Sequence, residues 1–285
     1  MTQGSPLGPN DLVLCWAMVM GASFRELVEA AAAAGYAGIT LSPDDYQRAR
    51  AAGLSDADMR NMLVNNNVTV AEFDPIVTWL PGPSYGDGMF ALPVDEALNM
   101  ASAVGARSVN AIYPHTEAID VSRAVDGFAD LCQRAGEDGR LASLEFFPWT
   151  GMPDPAVAWE IVRGADQPNG GMMIDSWHVY RGVGTIEALR AIPGERIFGV
   201  QLSDAPAQPT EPMPGETGNR LTPGTGDIDL VGLIQLLDEM GSHAPLGVEV
   251  ISPRTQSQLV AEAATENADA LRRILANARP PDRRA

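Results

Sequence analysis

The sequence is best interpreted outward from one stretch, Met172-Met173-Ile174-Asp175-Ser176-Trp177-His178. Three apolar residues follow a pair of glycines and lead directly into an acid, which indicates a short strand buried on both faces. An acid at the carboxyl end of such a strand takes the position at which parallel β/α folds carry their chemistry. Alternatively, Asp175 caps the next element and His178 packs in a loop, so the flanking sequence must decide.

The same alternation of a short apolar segment with a longer helical pattern extends in both directions. Capping signals support the helices: Ser23 and Glu26 form a capping box, and Gly35 follows the last helical residue. Eight strands alternating with eight helices predict an α/β protein, a single-domain (β/α)8 TIM barrel over residues 1–285. The predicted strands are 12–16, 39–41, 68–73, 108–112, 142–147, 172–174, 197–202 and 247–250.

An open doubly wound sheet is the main alternative fold. Such a sheet usually carries a glycine-rich phosphate loop after its first strand, whereas Gly21 stands alone here. The sequence has no linker suited to a domain boundary. The long segments 75–93 and 205–227 are therefore predicted to be lids over the barrel mouth rather than hinges between domains. The tail 279–285 is expected to fray.

Composition excludes several classes of function. The net charge of −18 argues against a nucleic-acid surface and against binding to anionic membranes. All 19 basic residues are arginines, which excludes a lysine Schiff base, a covalent pyridoxal phosphate linkage and a P-loop lysine. Cys15 and Cys132 are too few for a disulfide framework or a cysteine zinc site. The apolar segment 12–22 is too short for a membrane span and lacks a signal peptide's basic flank, so the expected location is the cytoplasm.

Four consecutive predicted strands end in oxygen-bearing side chains, namely Glu145, Asp175, Gln201 and Glu249. In a barrel all four would face the C-terminal mouth. Carboxylates that converge there raise one another's pKa unless a cation offsets their charge. Because the donors are all oxygens, they predict one divalent ion, Mn²⁺ or Mg²⁺ rather than zinc. The alternative is that these are four unrelated loop residues.

These strand ends carry a pattern of spaced residues: Glu145, Asp175-x-x-His178, Gln201-x-x-Asp204 and Glu249. Two further pieces are Leu144-Glu145-Phe146 and Arg220-x-x-Pro223-Gly224-x-Gly226. Together they resemble the xylose isomerase-like barrel superfamily, and more closely its sugar phosphate isomerase/epimerase group. That group includes ketose 3-epimerases, hydroxypyruvate isomerases, inosose dehydratases and 3-dehydroshikimate dehydratases. The resemblance covers most of the chain and implies that the four oxygen-bearing residues hold one divalent ion.

The resemblance also implies a reaction. Glu145 and Glu249 would remove and return a proton beside a carbonyl, through a metal-stabilised enediolate, in an isomerase or epimerase of a sugar or related hydroxy-ketone. If the substrate carries a β-leaving group, the same first step gives a dehydratase or lyase of a cyclic keto-polyol or a C-glycoside-type substrate. The xylose isomerase hydride shift is disfavoured, because its two-metal site uses a lysine and this chain has none.

Other residues at the predicted strand ends are candidates for binding the substrate. His178 is expected to hydrogen-bond a substrate oxygen or to act as a general acid. Arg220 is expected to clamp substrate oxygens or to pair with Asp204. For each candidate the alternative is an ordinary packed or solvated side chain. The remaining candidates are His115, Glu72, Trp16, Trp177 and Asp204.

Two other classes of function remain as alternatives. Endonuclease IV shares this barrel, but a nuclease would need more metal-binding histidines than the 3 present and a phosphate-binding face. A non-catalytic partner subunit is the other alternative, since some lyases of the group are hetero-oligomers. The expected partner is a small molecule such as a sugar, a polyol or a cyclic keto-alcohol, with no nucleic acid and no membrane. A homo-oligomer is compatible with the sequence.

Overall fold

The computed structural model describes residues 7–82, 85–182 and 185–281. Eight parallel strands pair in chain order, and the last pairs with the first, so the sheet closes into a barrel. The predicted TIM barrel is therefore confirmed, and the open doubly wound sheet is wrong. The strands are β1 (Leu12–Leu14), β2 (Gly38–Leu41), β3 (Thr69–Ile76), β4 (Ser108–Ile112), β5 (Leu141–Glu145), β6 (Gly170–Asp175), β7 (Ile197–Leu202) and β8 (Leu246–Val248).

Helices surround the barrel, and several begin where the sequence places a cap. Ser23 and Ser55 each accept a backbone N–H in a capping box, and Gly35 takes a φ of +74° just beyond the first helix. The α-helices in the described ranges are α1 (Phe24–Ala33), α2 (Pro43–Ala51), α3 (Asp56–Asn65), α4 (Val94–Val104), α5 (Val121–Gly136), α6 (Pro155–Ala165), α7 (Ser176–Arg181), α8 (Thr185–Leu189), α9 (Leu230–Glu239), α10 (Pro253–Ser257) and α11 (Val260–Ala278). None of these helices is long and apolar enough to cross a bilayer.

Strand β5 shows how the barrel separates an apolar layer from a polar interior. Ala142 and Leu144 are fully buried in the hydrophobic core. Ser143 and Glu145 alternate with them and hydrogen-bond to side chains from β3 and β4, which places them on the inner face. Apolar packing therefore lies mainly between the strands and the helices. Truncating a core leucine such as Leu144 to alanine typically costs about 2–5 kcal/mol of stability.

Some predicted boundaries are wrong. Strand β3 continues to Ile76, so Glu72 lies within the strand rather than at its end. Helix α5 includes Gly136, which the sequence predicts as its stop. Short helices α7 and α10 were not expected. Arg279 does not fray, because its guanidinium pairs with Asp238 at 2.6 Å and binds a backbone carbonyl. Residues 282–285 of the predicted tail lie outside the described residues.

Candidate metal and active site

The two carboxylate oxygens of Asp175 have different partners, because Asp175 ends β6 and immediately precedes α7. Its Oδ1 accepts the backbone N–H groups of Trp177 and His178 at 2.6 and 3.1 Å and caps α7. Its Oδ2 points into the barrel mouth, where Arg220 Nη1 lies at 2.6 Å. The capping interpretation is therefore correct for one oxygen, while the other belongs to the site at the strand ends.

Glu145, Asp175 and His178 form a buried group whose candidate ligand atoms all lie within 4.8 Å of one another. His178 Nε2 is 3.5 Å from Glu145 Oε1 and 4.0 Å from Asp175 Oδ2. Neither ring nitrogen of His178 has a hydrogen-bond partner among the described residues. Two carboxylates and an unpaired imidazole suit a divalent cation. The sequence analysis does not include His178 among the predicted metal ligands. The structure places its imidazole beside Glu145 and Asp175, so it becomes a candidate ligand.

Aromatic rings enclose the imidazole of His178. The Phe147 ring centroid lies 4.4 Å away, and those of Trp149 and Trp177 each lie 5.5 Å away. Burial among these rings lowers the pKa of His178 to about 3, against an opposing effect of the Asp175 charge. The imidazole is therefore neutral at physiological pH and can offer a nitrogen lone pair to a metal.

Gln201 and Glu249 complete the predicted ligand set. Gln201 lies beside Asp175 in the register of β6 and β7, and its buried Oε1 has no hydrogen-bond partner among the described residues. Glu249 follows β8, and its Oε2 lies 2.8 Å from Arg220 Nη1. A buried amide oxygen without a donor fits a site that is completed by a cation. Metal ligation by these two residues stays a prediction.

Arg220 bridges Asp175 and Glu249 with a single nitrogen, and its side chain is only 2% exposed. The alternative pairing of Arg220 with Asp204 is therefore wrong. The Asp204 carboxylate instead accepts backbone N–H groups from Ala205, Gly224, Gly226 and Ile228 at 2.9–3.0 Å. These bonds hold the glycine-rich turn that follows Arg220. Asp204 thus shapes the segment that carries Arg220, and its predicted contact with a substrate stays a prediction.

The carboxylates of the site respond differently to this environment. Burial, with the charges of Asp74 and Asp175 added, raises the pKa of Glu145 well above its usual range. Burial also raises the pKa of Glu249 well above its usual range, although Arg220 opposes the shift. Burial pushes the pKa of Asp175 upward as well, but the charge of Arg220, together with hydrogen bonds from the His178 backbone and the Arg220 side chain, holds it below the usual value. The site therefore combines one firmly ionised acid with two that bind protons more readily.

The predicted substrate-binding residues are scattered. Trp16 is half-buried, and its indole N–H donates to Asp74 Oδ2 at 3.0 Å. Trp177 is fully buried, and its predicted contact with a substrate stays a prediction. Glu72 lies deeper in the barrel than expected and lines a small interior cavity. His115 packs against Tyr113 and lines a separate cavity of about 230 Å³ beside Arg123.

Asn110 is missing from the predicted site. Asn110 is fully buried on β4 and donates to Glu145 Oε2 at 2.6 Å. Asp74, two residues beyond Glu72, accepts from the same amide at 3.2 Å. The available signal was the alternation of polar residues along β4 at Ser108 and Asn110, which indicates an inward polar face.

Comparison with known protein families identifies the chain. A model of the xylose isomerase-like TIM barrel family matches residues 28–274, which is most of the sequence. The chain belongs to this family. The resemblance inferred from the strand-end residues is thereby confirmed, and the fold extends over the whole matched region.

Curated relatives in the xylose isomerase-like TIM barrel family carry two kinds of name. A 3-dehydroshikimate dehydratase of Pseudomonas aeruginosa is 33% identical over 128 residues, covering 45% of this chain and 20% of that protein. An inosose isomerase of Bacillus subtilis is 31% identical over 150 residues, covering 51% of this chain and 52% of that protein. The matched part of the chain thus spans between a fifth and a half of these relatives. Isomerases and dehydratases both occur in the family.

Among solved structures, the IOLI protein, described as having a binding zinc atom, superposes with a TM-score of 0.84. It is 21% identical, and the match covers 95% of this chain and 99% of that one. At that identity the likeness shows the shared barrel fold. The chain is therefore a barrel of a family of enzymes, and its buried group of Glu145, Asp175 and His178 is a candidate site for a divalent metal.

Proposed function

We propose that this protein is a metal-dependent isomerase or epimerase that moves a proton beside the carbonyl of an uncharged hydroxy-ketone. The observation that carries the proposal is the buried group of Glu145, Asp175 and His178 at the mouth of the barrel. Arg220 balances Asp175, but within the described residues no arginine pairs with Glu145, so burying both acids together favours a further positive charge. Membership of the xylose isomerase-like family supports the same class of reaction.

Glu145, Asp175 and His178 would hold the ion, together with Gln201 and Glu249. A bound divalent ion would supply Lewis-acid polarisation of the carbonyl and stabilise the enediolate. Gln201 Oε1 and both ring nitrogens of His178 have no hydrogen-bond partner among the residues that the structure describes, which supports the fit. With a nitrogen donor in the set, Mn²⁺ is a better match than Mg²⁺, which takes oxygen ligands almost exclusively.

Glu145 and Glu249 are the proposed acid and base. They come from β5 and from the end of β8, so they approach the site from different directions around the barrel. Burial raises the pKa of both carboxyls, which makes each a stronger proton acceptor than an ordinary carboxylate. One can then remove a proton from carbon while the other returns a proton, as epimerisation or isomerisation requires.

The pairing of Arg220 supports an uncharged substrate. Its guanidinium already binds Asp175 and Glu249, and those are the only arginine–carboxylate pairs formed by the site acids within the described ranges. To bind a substrate carboxylate or phosphate, the site would need a cation that is not already paired with Asp175 or Glu249. A neutral cyclic polyol ketone, the kind of substrate in the name of the inosose isomerases, therefore fits better than an anionic one.

Dehydration is the second candidate function, because the Pseudomonas relatives are named 3-dehydroshikimate dehydratases. Proton removal by the same glutamate would precede loss of water in that case. The two functions share the site and differ in the fate of the intermediate and in the charge of the substrate. A non-catalytic partner subunit is disfavoured by the intact group of candidate ligands.

One experiment separates these functions. Purified protein is analysed for bound metal, loaded with Mn²⁺ and incubated in D₂O with an inosose, with allulose or with 3-dehydroshikimate. We expect deuterium to enter a neutral ketone beside its carbonyl without loss of water. Glu145→Gln keeps an oxygen ligand but removes the proton acceptor, so exchange should fall about 10²–10⁴-fold. Water loss from 3-dehydroshikimate alone would favour the dehydratase, and inertness toward all three ketones would overturn the proposal.

A further inference from the structure

The carboxylate of Glu145 is hydrogen-bonded by the side-chain amide of Asn110, a residue that has no role in the proposed reaction. Asn110 Nδ2 donates to Glu145 Oε2 at 2.6 Å and to Asp74 Oδ1 at 3.2 Å. An amide group has two N–H donors, so one serves each carboxylate. Asn110 is fully buried, and these are its contacts with strands on both sides of β4.

The orientation of the Asn110 amide is fixed from its other end. Ser143 Oγ donates to Asn110 Oδ1 at 2.9 Å, and the two residues are paired in register between β4 and β5. With the amide reversed, its oxygen would face two carboxylates and lose both bonds. Trp16 Nε1 donates to the second oxygen of Asp74 at 3.0 Å, which fixes the remaining partner.

This arrangement makes the two oxygens of Glu145 unequal. Oε2 is bound by Asn110, whereas Oε1 lies 3.5 Å from His178 Nε2 on the side of the candidate ligands. A carboxylate with one oxygen tied to a buried donor cannot rotate freely to offer both. We propose that Asn110 is a positioning residue that holds Glu145 by Oε2 and presents Oε1 to the metal; this rests on the proposed metal-dependent function.

Asn110 also limits the cost of placing two acids side by side. Burial raises the pKa of Asp74, and its charge adds to the raised pKa of Glu145. The two N–H groups of the Asn110 amide, one directed to each carboxylate, offset part of their repulsion. The same contact that orients Glu145 therefore also helps both acids to stay buried.

The test measures Mn²⁺ affinity by titration calorimetry in wild type, Asn110→Ala and Asn110→Ser. Loss of an outer hydrogen bond to a ligand typically weakens metal binding about 10–100-fold, and we expect that loss in both variants. Ser108→Ala is the matched control, since Ser108 lies on the same strand and donates to the backbone carbonyl of Ala71. Its affinity should equal that of the wild type.

A double-mutant cycle separates positioning from general loosening of the barrel. In a Glu145→Ala background, Asn110→Ala should change Mn²⁺ affinity by less than about twofold, because its target is gone. An equal loss in both backgrounds, or wild-type affinity in folded Asn110→Ala and Asn110→Ser, would overturn the positioning role while leaving the metal site in place. If the wild-type protein binds no Mn²⁺, this inference and the proposed function both fail.

Discussion

At the scale of single residues, the two oxygens of Asp175 allow its structural and chemical roles to be separated. Asp175→Asn retains an oxygen that can cap α7, whereas Asp175→Ala does not. Both remove the charge that faces Arg220. We expect both to lose metal binding, with Asp175→Ala about 1 kcal/mol less stable than Asp175→Asn. Chemical denaturation and calorimetry of the two variants check this, and equal stability would show that the cap contributes nothing.

The raised pKa of Glu72 leads to a second prediction for a single residue, on how the stability of the fold depends on pH. Burial, then the charges of Asp74 and Glu145, raises its pKa well above the usual range, against weaker opposing effects of Ser143 and Arg107. A carboxyl whose pKa is raised in the folded state contributes stability only at acidic pH and loses it as pH rises through the folded pKa. Glu72→Gln should therefore be as stable as wild type near pH 4 and progressively more stable than wild type as the pH rises toward neutrality.

The measurement for Glu72 is urea denaturation of the metal-free protein across this range. Glu26 supplies a control of opposite sign, since side-chain and backbone hydrogen bonds with Ser23 lower its pKa. Its stabilising contribution is present above the unfolded pKa and is lost in acid. Glu26→Gln should therefore lose stability relative to wild type as pH rises. A Glu72→Gln curve parallel to that of wild type would contradict the assignment.

At the scale of elements, the segment 205–227 is anchored by a buried ion pair with α7. Arg181 binds both oxygens of Glu216 at 2.6 and 2.7 Å, with side chains 6% and 1% exposed. Removing one partner leaves a buried charge unpaired and typically costs about 3–5 kcal/mol. Because this segment carries Arg220, we expect Glu216→Gln to increase its proteolysis and to weaken the metal site.

The matched control is the exposed pair of Arg254 and Glu266. Breaking it with Arg254→Ala should cost at most about 1 kcal/mol, because solvent screens surface pairs. A double variant, Arg181→Met with Glu216→Met, should recover stability lost in Glu216→Gln, since no charge is left unpaired. If Glu216→Gln behaves like Arg254→Ala, the segment is held by its other contacts and the ion pair is dispensable.

Elements also show what the sequence could and could not predict. The positions of Glu145 and Asp175 at strand ends could be predicted because each follows apolar residues. That local pattern identifies both the strand and the residue at which it ends. Glu72 was misplaced because β3 continues past an irregular register with β4, which depends on the neighbouring strand. The partners of Arg220 lie 29 and 45 residues away in sequence, and no local pattern specifies them. His178 entered the candidate ligand group because α7 starts without a loop.

At the scale of the whole molecule, metal binding should stabilise the fold. A ligand that binds only the folded state at 100 times its dissociation constant adds about 2.7 kcal/mol. We expect Mn²⁺ to raise the thermal midpoint at pH 7.5 and a chelator to reverse the rise. The raised pKa values of Glu145 and Glu249 mean that protons compete with the ion at higher pH than for ordinary carboxyls, so the rise should shrink toward pH 5. A rise of equal size at both values would show that these acids are not ligands.

The barrel keeps its apolar layer outside the strands and its polar network inside, and this division bears on how the protein can change. Residues such as Leu144 and Phe128 secure the architecture from the helical side. Inner-face positions such as Asn110 and Ser143 mainly bond to one another. In laboratory evolution, single substitutions at inner-face positions would leave buried polar partners unsatisfied, so these positions must be varied together, whereas outer-layer positions tolerate apolar exchanges that conserve volume.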